Sequence, residues 1–142
     1  MGFEKIKQNL IREEGLELKP YYCTGEPPKL TIGVGRNLDD RGISEATAMQ
    51  MLEEDIELCI RELKLAVPNF INFPEPVQEV LVDLCFNLGI SRLLNFKKTL
   101  MYLDEGLMTG NYTKAAVELL DSNYARQLPA RSKRNHDKLF NA

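Results

Sequence analysis

The sequence is poor in the residues that build disulfide frameworks and metal sites. Its 142 residues include three cysteines, Cys23, Cys59 and Cys85, and a single histidine, His136. An odd number of widely spaced cysteines argues against a disulfide framework and fits a reducing compartment. Because there is no Cys-x-x-Cys pair and only one histidine, we expect no metal site and no cofactor.

Long hydrophobic runs are also missing. No stretch approaches the roughly 18 apolar residues of a membrane span, and the N-terminal segment MGFEKIKQNL has no apolar core of a signal peptide. Position 6 is Ile6, so Gly2 does not begin a myristoylation signal. These absences predict a protein that is made in the cytoplasm, without a signal peptide and without stable membrane insertion.

The chain has no excess of positive charge. It carries 18 Lys and Arg against 21 Asp and Glu, a formal net charge of −3 at pH 7. Nucleic acid is therefore not an expected partner, and any anionic polymer must be bound locally. Gly33-Val34-Gly35 is not a dinucleotide fingerprint, because Leu38 stands where the third glycine would be.

The stretch that organises the chain is 11–37, IREEGLELKPYYCTGEPPKLTIGVGRN. Apolar residues at steps of three and four predict a helix over 3–14, with Gly15 as its C-cap. Glu13 and Glu14 then stand at the negative end of the helix dipole, which costs about half a kcal/mol each and favours protonation. A carboxyl group biased in this way suits a general acid. The simpler interpretation is an exposed acidic helix end.

A short hairpin is predicted directly after this helix. Residues 16–22 and 30–34 have strand-like composition, and Pro20 marks the first run as an edge strand. Gly33 and Gly35 leave room for another chain segment to approach closely. Because so short a hairpin must pack against something, we expect Glu14 to face the cleft formed where it packs.

The order and spacing of three motifs resemble the phage-type lysozymes, glycoside hydrolase family 24, which cleave bacterial peptidoglycan. The motifs are Glu14-Gly15-Leu16, Leu18-Lys19-Pro20-Tyr21 and Thr31-Ile32-Gly33-Val34-Gly35. The resemblance implies that Glu14 is the catalytic acid, that Thr31 helps to hold the attacking water and that Gly35 contacts substrate. The sequence departs from the family at Cys23, which stands where the second catalytic carboxylate, an Asp, is expected.

Cys23 leaves alternatives open. As a thiolate it would act as base or nucleophile, although a thiol with an unperturbed pKa of about 8.5 is mostly neutral at pH 7. If Cys23 does no chemistry, Glu14 and Thr31 carry residual activity or the protein is an inactive peptidoglycan-binding module. A third alternative is a Cys/His amidase or protease that uses Cys23 and His136, but His136 has no obvious carboxylate to orient it.

Helical periodicity organises the rest of the chain. Ser44 is the expected N-cap of a helix through about residue 65, and its two apolar stripes are typical of a spine that joins two lobes. A helix over 77–88 is apolar on nearly every side and belongs at the centre of its lobe. The remaining predictions are a loop over 37–42, helices over 96–106 and 111–120 with Gly106 and Gly110 in the turn region, and a helix that opens after Pro129.

Further site residues follow from the resemblance. Phe86 and Asn87 lie in a segment similar to one that faces the sugar cleft in the family, although Asn87 would also suit an internal hydrogen bond. Residues 127–134, QLPARSKR, resemble a family segment whose first arginine pairs with the catalytic Glu. The predicted ion pairs are Glu14 with Arg131, Glu13 with Arg134, and Arg36 with Asp55.

Together these features predict a mainly helical α+β, lysozyme-like chain of one domain. Its small lobe spans about 15–45, its spine helix about 44–65, and its helical lobe about 66–142 together with the N-terminal helix 3–14. The resemblance implies a monomeric endolysin that hydrolyses the β-1,4 bond between N-acetylmuramic acid and N-acetylglucosamine in peptidoglycan glycan strands. It would remain in the host cytoplasm until a separate membrane-permeabilising protein releases it to the cell wall.

Overall fold

A computed structural model describes residues 2–142, and within that range the chain is mainly helical with one small sheet. The predicted α+β, mainly α class is confirmed. None of the helices described is both long and apolar enough to cross a membrane. The elements are α1 (Phe3–Glu14), β1 (Glu17–Tyr22), β2 (Leu30–Gly33), β3 (Arg36–Asn37), α2 (Leu38–Arg41), α3 (Glu45–Ala66), a 3-10 turn (Phe70–Asn72), α4 (Glu75–Leu88), α5 (Ile90–Leu93), α6 (Lys97–Thr109), α7 (Thr113–Leu120), α8 (Asn123–Gln127) and α9 (Pro129–Phe140).

The chain divides into two compact units. The first ends at Gln50, and the second spans Met51–Ala142. Helix α1, the sheet and α2 belong to the first unit, and the division falls within α3. The grouping of the N-terminal helix with the helical lobe in a single domain stays a prediction.

Helix α1 ends at the residues expected from the sequence. It ends at Glu14, and Gly15 follows with φ 77°, its N–H donating to the carbonyl of Ile11 at 2.8 Å. A positive φ suits glycine because glycine has no Cβ. The predicted C-cap at Gly15 is therefore confirmed, and Glu13 and Glu14 lie in the last turn of α1.

The hairpin is extended by a third strand. The sheet is antiparallel with the order β1-β2-β3, so β1 is an edge strand as predicted. Glu17 pairs with Gly33 and Tyr21 with Thr31, and the register shifts between these pairs. Pro20 lies in the shifted segment, where its missing N–H would leave a gap in a regular ladder.

The loop predicted over 37–42 is wrong, because a short helix forms there. Asn37 caps α2 by accepting the backbone N–H of Asp40 at its Oδ1, 3.0 Å away. Asp39 and Asp40 lie in the first turn, where the helix dipole favours acidic side chains. These local signals outweigh the polar composition that indicated a loop.

Helix α3 begins as predicted. The N–H of Thr47 donates to Ser44 Oγ at 3.1 Å, which confirms Ser44 as the cap. The helix continues to Ala66, one residue beyond the expected end. Cys59, predicted to be a small core residue, is buried in it.

Helix α4 contributes to the core of the second unit, as predicted. Its buried residues are Val77, Val80, Leu81, Leu84 and Cys85. Around them pack leucines from other elements of the unit, among them Leu63, Leu93, Leu103, Leu119 and Leu139. The helix ends at Leu88, and Gly89 follows at φ 84°.

Gly106 lies inside a helix and not in a turn, so that prediction is corrected. Helix α6 continues to Thr109, and Gly110 ends it in the left-handed conformation with φ 73°. A Cβ on Gly106 would collide with Cδ1 and Cε1 of the Tyr112 ring. Gly106 therefore provides the space in which Tyr112 packs.

Candidate active site

The carboxylate of Glu14 lies against the backbone of the turn between β2 and β3. Gly35 adopts φ 62° in that turn, and a Cβ built on it would be 2.9 Å from Glu14 Oε2. Only glycine combines this backbone conformation with the space that the carboxylate needs. The predicted close approach at Gly35 is thus confirmed, and Glu14 remains exposed to solvent.

The sulfur of Cys23 lies among backbone donors. The N–H of Lys29 points to Cys23 Sγ at 3.4 Å, and the N–H of Cys23 donates to the carbonyl of Lys29 at 3.0 Å. The pKa of the Cys23 thiol is lowered, first by a hydrogen bond from the backbone of Gly25 and then by that from Lys29. Hydrogen bonds donated to a thiolate stabilise it relative to the neutral thiol, so the backbone of the loop over 24–29 favours the ionised form of Cys23.

Thr31 is brought next to Cys23. Its side chain is buried, and its hydroxyl donates to the carbonyl of Lys29 at 2.9 Å. The Thr31 side chain also lies within hydrogen-bonding reach of Cys23. A hydroxyl that donates to a carbonyl can still accept a hydrogen bond through its lone pairs. Thr31 can therefore accept a hydrogen bond from a water molecule beside the sulfur.

Helix α2, which the sequence analysis missed, holds this loop in place. Asp39 accepts the N–H of Leu30 at 2.7 Å, and Asp40 pairs with the ammonium of Lys29 at 3.1 Å. Lys29 in turn contacts Cys23 through both its N–H and its carbonyl. In the sequence, the signal for these contacts was the acidic pair Asp39 and Asp40, which follows Asn37 and Leu38.

Arg36 is bound within its own unit. It is half-buried, and its Nε donates to the carbonyl of Gly42 at 2.9 Å. Asp55, its predicted partner, is an exposed residue of α3 in the second unit. Their pairing stays a prediction.

In the second unit, Arg131 binds a carboxylate that the sequence analysis did not assign to it. Its Nε lies 3.0 Å from Asp83 Oδ2, and its Nη2 lies 2.8 Å from Asp83 Oδ1. Asp83 interrupts an otherwise apolar part of α4, and that isolated charge was the signal in the sequence. Glu14 belongs to the first unit and Arg131 to the second, and the predicted pairing between them stays a prediction.

Asp83 is further fixed by two buried residues. Asn135 Nδ2 donates to Asp83 Oδ2 at 2.7 Å and to the hydroxyl of Tyr124 at 2.9 Å. Burial raises the pKa of Asp83, but the hydrogen bonds from Arg131 and Asn135 outweigh burial, and the net pKa is lowered. The carboxylate is therefore held in its ionised form.

A cleft of about 800 Å³ lies within the second unit and brings Phe86 together with Arg131 and Asp83. Its other lining residues are apolar and polar in about equal number, and the apolar ones include Ile56, Ile60, Phe70 and Val82. Phe86 is exposed at 45%, which leaves its ring accessible. Asn87 is also exposed, and its role stays a prediction. Glu13 and Arg134 are exposed in their respective units.

His136 has a carboxylate neighbour after all. Its Nδ1 lies 2.9 Å from Asp137 Oδ1, and its ring stacks on Phe140 at 5.5 Å between centroids. The expectation that His136 lacks an orienting carboxylate is therefore wrong. Within residues 2–142 we find no group of three or more His, Cys, Asp or Glu side chains arranged to hold a metal ion.

Comparison with known proteins gives one match. A family model described as phage lysozyme matches residues 11–137, from the last turn of α1 into α9. No curated protein matches the chain. The matched range includes Glu14, Cys23, Thr31 and Arg131.

Proposed function

The chain belongs to the phage lysozyme family, and on that basis we propose that it hydrolyses the β-1,4 bond between N-acetylmuramic acid and N-acetylglucosamine in peptidoglycan. Membership indicates a glycoside hydrolase that acts on peptidoglycan; the bond and the residue roles are our proposal. The observation that supports it best is the Glu14 carboxylate against Gly35, in the same unit as Cys23 and Thr31.

Glu14 is the proposed proton donor. Glycoside hydrolysis requires an acid that protonates the leaving oxygen as the bond to the sugar carbon breaks. Glu14 is exposed, and the absence of a side chain at Gly35 provides the space that its carboxylate occupies. Because the carboxylate is open to solvent, a sugar bridge can reach the acid.

Cys23 and Thr31 are the proposed second half of the site. The fold lowers the pKa of Cys23, and in the proposed role its thiolate either takes a proton from water or attacks the sugar carbon itself. Thr31 accepts a hydrogen bond from the attacking water and so positions its oxygen. If Cys23 is the base, the product anomer is inverted; if it is the nucleophile, the configuration is retained.

The remaining assignments complete the proposal. Gly35, Phe86 and Asn87 contact the glycan, and no nucleic acid is bound. The supporting ion pairs are Glu14 with Arg131, Glu13 with Arg134, and Arg36 with Asp55. The protein acts as a monomeric endolysin that stays in the host cytoplasm until it is released to the cell wall for lysis.

The decisive experiment replaces the acid. Glu14→Gln keeps the size of the side chain but removes its proton, so we expect the rate of new reducing ends from purified peptidoglycan to fall at least about 100-fold. Glu4→Gln, an exposed carboxylate of the same helix, is the matched control and should keep the parental rate. A Gln variant at position 14 that digests cell walls as fast as the parent contradicts the proposal.

The same digests distinguish the alternative functions. New amines in place of new reducing ends would indicate a Cys/His amidase, an alternative favoured by the contact between His136 and Asp137. Wall binding without products would indicate an inactive module. The rates of Cys23→Ala and Cys23→Asp then show whether the sulfur is needed. NMR of the fresh product anomer shows whether it acts as base or as nucleophile.

A further inference from the structure

The peptide group between Lys29 and Leu30 makes hydrogen bonds on both of its sides. Its carbonyl oxygen accepts the N–H of Cys23 at 3.0 Å and the hydroxyl of Thr31 at 2.9 Å. Its N–H, which belongs to Leu30, donates to Asp39 Oδ2 at 2.7 Å. One peptide group therefore connects Asp39 to Cys23 and Thr31, the two residues of the proposed second half of the site.

The carboxylate of Asp39 makes the carbonyl of this peptide group a better acceptor. A hydrogen bond to an ionised acceptor is shorter than one between neutral groups and about twice as strong. Hydrogen bonds in a chain polarise one another, so an N–H bound to a carboxylate leaves more negative charge on the carbonyl oxygen of the same peptide. That oxygen holds the proton of the Thr31 hydroxyl, whose lone pairs then remain for water.

Helix α2 fixes the position of Asp39. Its cap, Asn37, accepts the N–H of Asp40 at Oδ1 and donates from Nδ2 to Asp40 Oδ2 at 2.9 Å. Asp40 Oδ1 pairs with the ammonium of Lys29 at 3.1 Å. Asn37 also lies opposite Thr31 in the pairing of β3 with β2. Asp39 is thus held beside β2 by contacts other than its own.

We propose that Asp39 is a positioning residue, which aligns the peptide group after Lys29 and through it the Thr31 hydroxyl and the Cys23 sulfur. This inference rests on the proposed function, in which Thr31 and Cys23 act on the attacking water. The preceding N–H, that of Lys29, points to Cys23 Sγ at 3.4 Å, so a displaced peptide group moves this donor as well. Asp39 is exposed, so replacing it removes a contact and little packing.

The first test measures the rate at which iodoacetamide alkylates Cys23 in the parent, Asp39→Asn and Asp39→Ala. Asp39→Ala removes the acceptor, and the Lys29 N–H loses its alignment with the sulfur. We therefore expect the rate at pH 7 to fall about threefold, while the rate at pH 10, where the thiol is ionised in every variant, stays about the same. Loss of a negative charge alone would favour the thiolate and raise the rate at pH 7.

The comparison of these variants keeps the surrounding charges constant. Apart from Asp39, the charged side chains on β1, the following loop, β3 and α2 are Glu17, Lys19, Glu26, Lys29, Arg36, Asp40 and Arg41. Asp39→Asn keeps an acceptor oxygen and should be alkylated faster at pH 7 than Asp39→Ala. Glu45→Gln and Glu45→Ala are the matched controls and should keep the parental rate, since Glu45 is an exposed acidic residue in the first turn of α3 and in the same unit.

The second test measures kcat and KM on purified peptidoglycan, with circular dichroism as the check on folding. A displaced Thr31 hydroxyl slows the attack of water without weakening glycan binding. We expect Asp39→Ala to lower kcat about fivefold or more with KM within about twofold. Thr31→Val removes the hydroxyl itself, so adding Asp39→Ala to it should cost less than the product of the two single effects.

The outcomes separate the inference from the proposed function. Suppose that the parent releases reducing ends. If Asp39→Ala then keeps the parental kcat, or its alkylation rate at pH 7 is unchanged or higher, or the double variant loses the full product, the inference is overturned and the proposed function stands. If the parent releases no reducing ends, the proposed function fails and the positioning role fails with it.

Discussion

At the scale of single residues, the sulfur of Cys23 stands where the resemblance implies a carboxylate. A carboxylate is ionised at neutral pH without help, whereas a thiol needs donors or cations to become a thiolate. The structure supplies such donors from the backbone of Gly25 and Lys29. The resemblance made Cys23 a candidate from the sequence, but the donors depend on the folded path of the loop over 24–29, which no side-chain pattern encodes.

We expect Cys23 to be the thiol that iodoacetamide alkylates in the folded protein. Only the thiolate reacts, so a lowered pKa moves the midpoint of the rate-against-pH curve below that of an ordinary cysteine peptide. Cys59 and Cys85 are buried, and burial raises the pKa of Cys85 to about 12. Both should stay unmodified at the pH values at which Cys23 reacts.

The measurement is the alkylation rate from pH 5 to pH 10, with intact mass reporting the number of labels. Cys23→Ala is the control and should take up no label until it is unfolded in urea. A midpoint at or above that of the peptide would show that the loop does not stabilise the thiolate. Labelling of two or three sites in the native protein would contradict the buried state of the other cysteines.

At the scale of elements, the sequence predicted the long helices and missed the short ones. Helices α1, α3 and α4 each span several turns, so their apolar residues repeat often enough for the period to be read. Helices α2, α5 and α8 have four or five residues, which is too few for a periodic pattern. For two of them the signal in the sequence was the N-cap residue. Asn37 caps α2 by accepting the N–H of Asp40, and Ser122 caps α8 by accepting the N–H of Ala125.

Gly106 shows where helix propensity and packing disagree. Alanine is favoured over glycine in a helix by about 1 kcal/mol, but a Cβ at this position would collide with the ring of Tyr112. That ring is buried and packs edge-on against Phe73, with 6.4 Å between centroids. We expect Gly106→Ala to lower the free energy of unfolding by about 1 to 3 kcal/mol, because the overpacked ring must move.

Urea unfolding followed by circular dichroism measures this change. In a Tyr112→Ala background the collision is absent, so the same glycine substitution should become neutral or stabilising. A Gly106→Ala protein as stable as the parent would mean that α6 and α7 adjust without cost, and the packing argument would fail.

At the scale of the whole molecule, sequence motifs predicted candidate site residues but did not specify which residues contact them. The order of the motifs over residues 14–35 and 127–134 predicted the family and the residues around Glu14. The contact between Arg131 and Asp83 joins residues 48 positions apart, and no local pattern specifies which carboxylate the arginine binds. The same limit applies to the ion pairs predicted between the two units, which a mutant cycle can test directly.

Glu13 and Arg134 are the clearest pair for such a cycle, because both are exposed and neither takes part in the proposed chemistry. Glu13→Arg and Arg134→Glu each place like charges together if the residues are neighbours, and the double variant restores attraction with the signs exchanged. We expect each single variant to be less stable than the parent and the double variant to recover most of the loss. The coupling energy should be about 1 kcal/mol or less and should fall in high salt.

Urea unfolding of the four proteins at low and high salt gives the coupling energy. Lys133 and Asp137 supply a positive control, since their side chains lie 3.1 Å apart one turn along α9 and such helical pairs contribute about 0.3 to 0.5 kcal/mol. A measurable coupling in the control cycle with none between Glu13 and Arg134 would refute the pairing. Because the cycle subtracts the effect of each substitution alone, a coupling that decreases with salt can only come from charges that are close together in the folded protein.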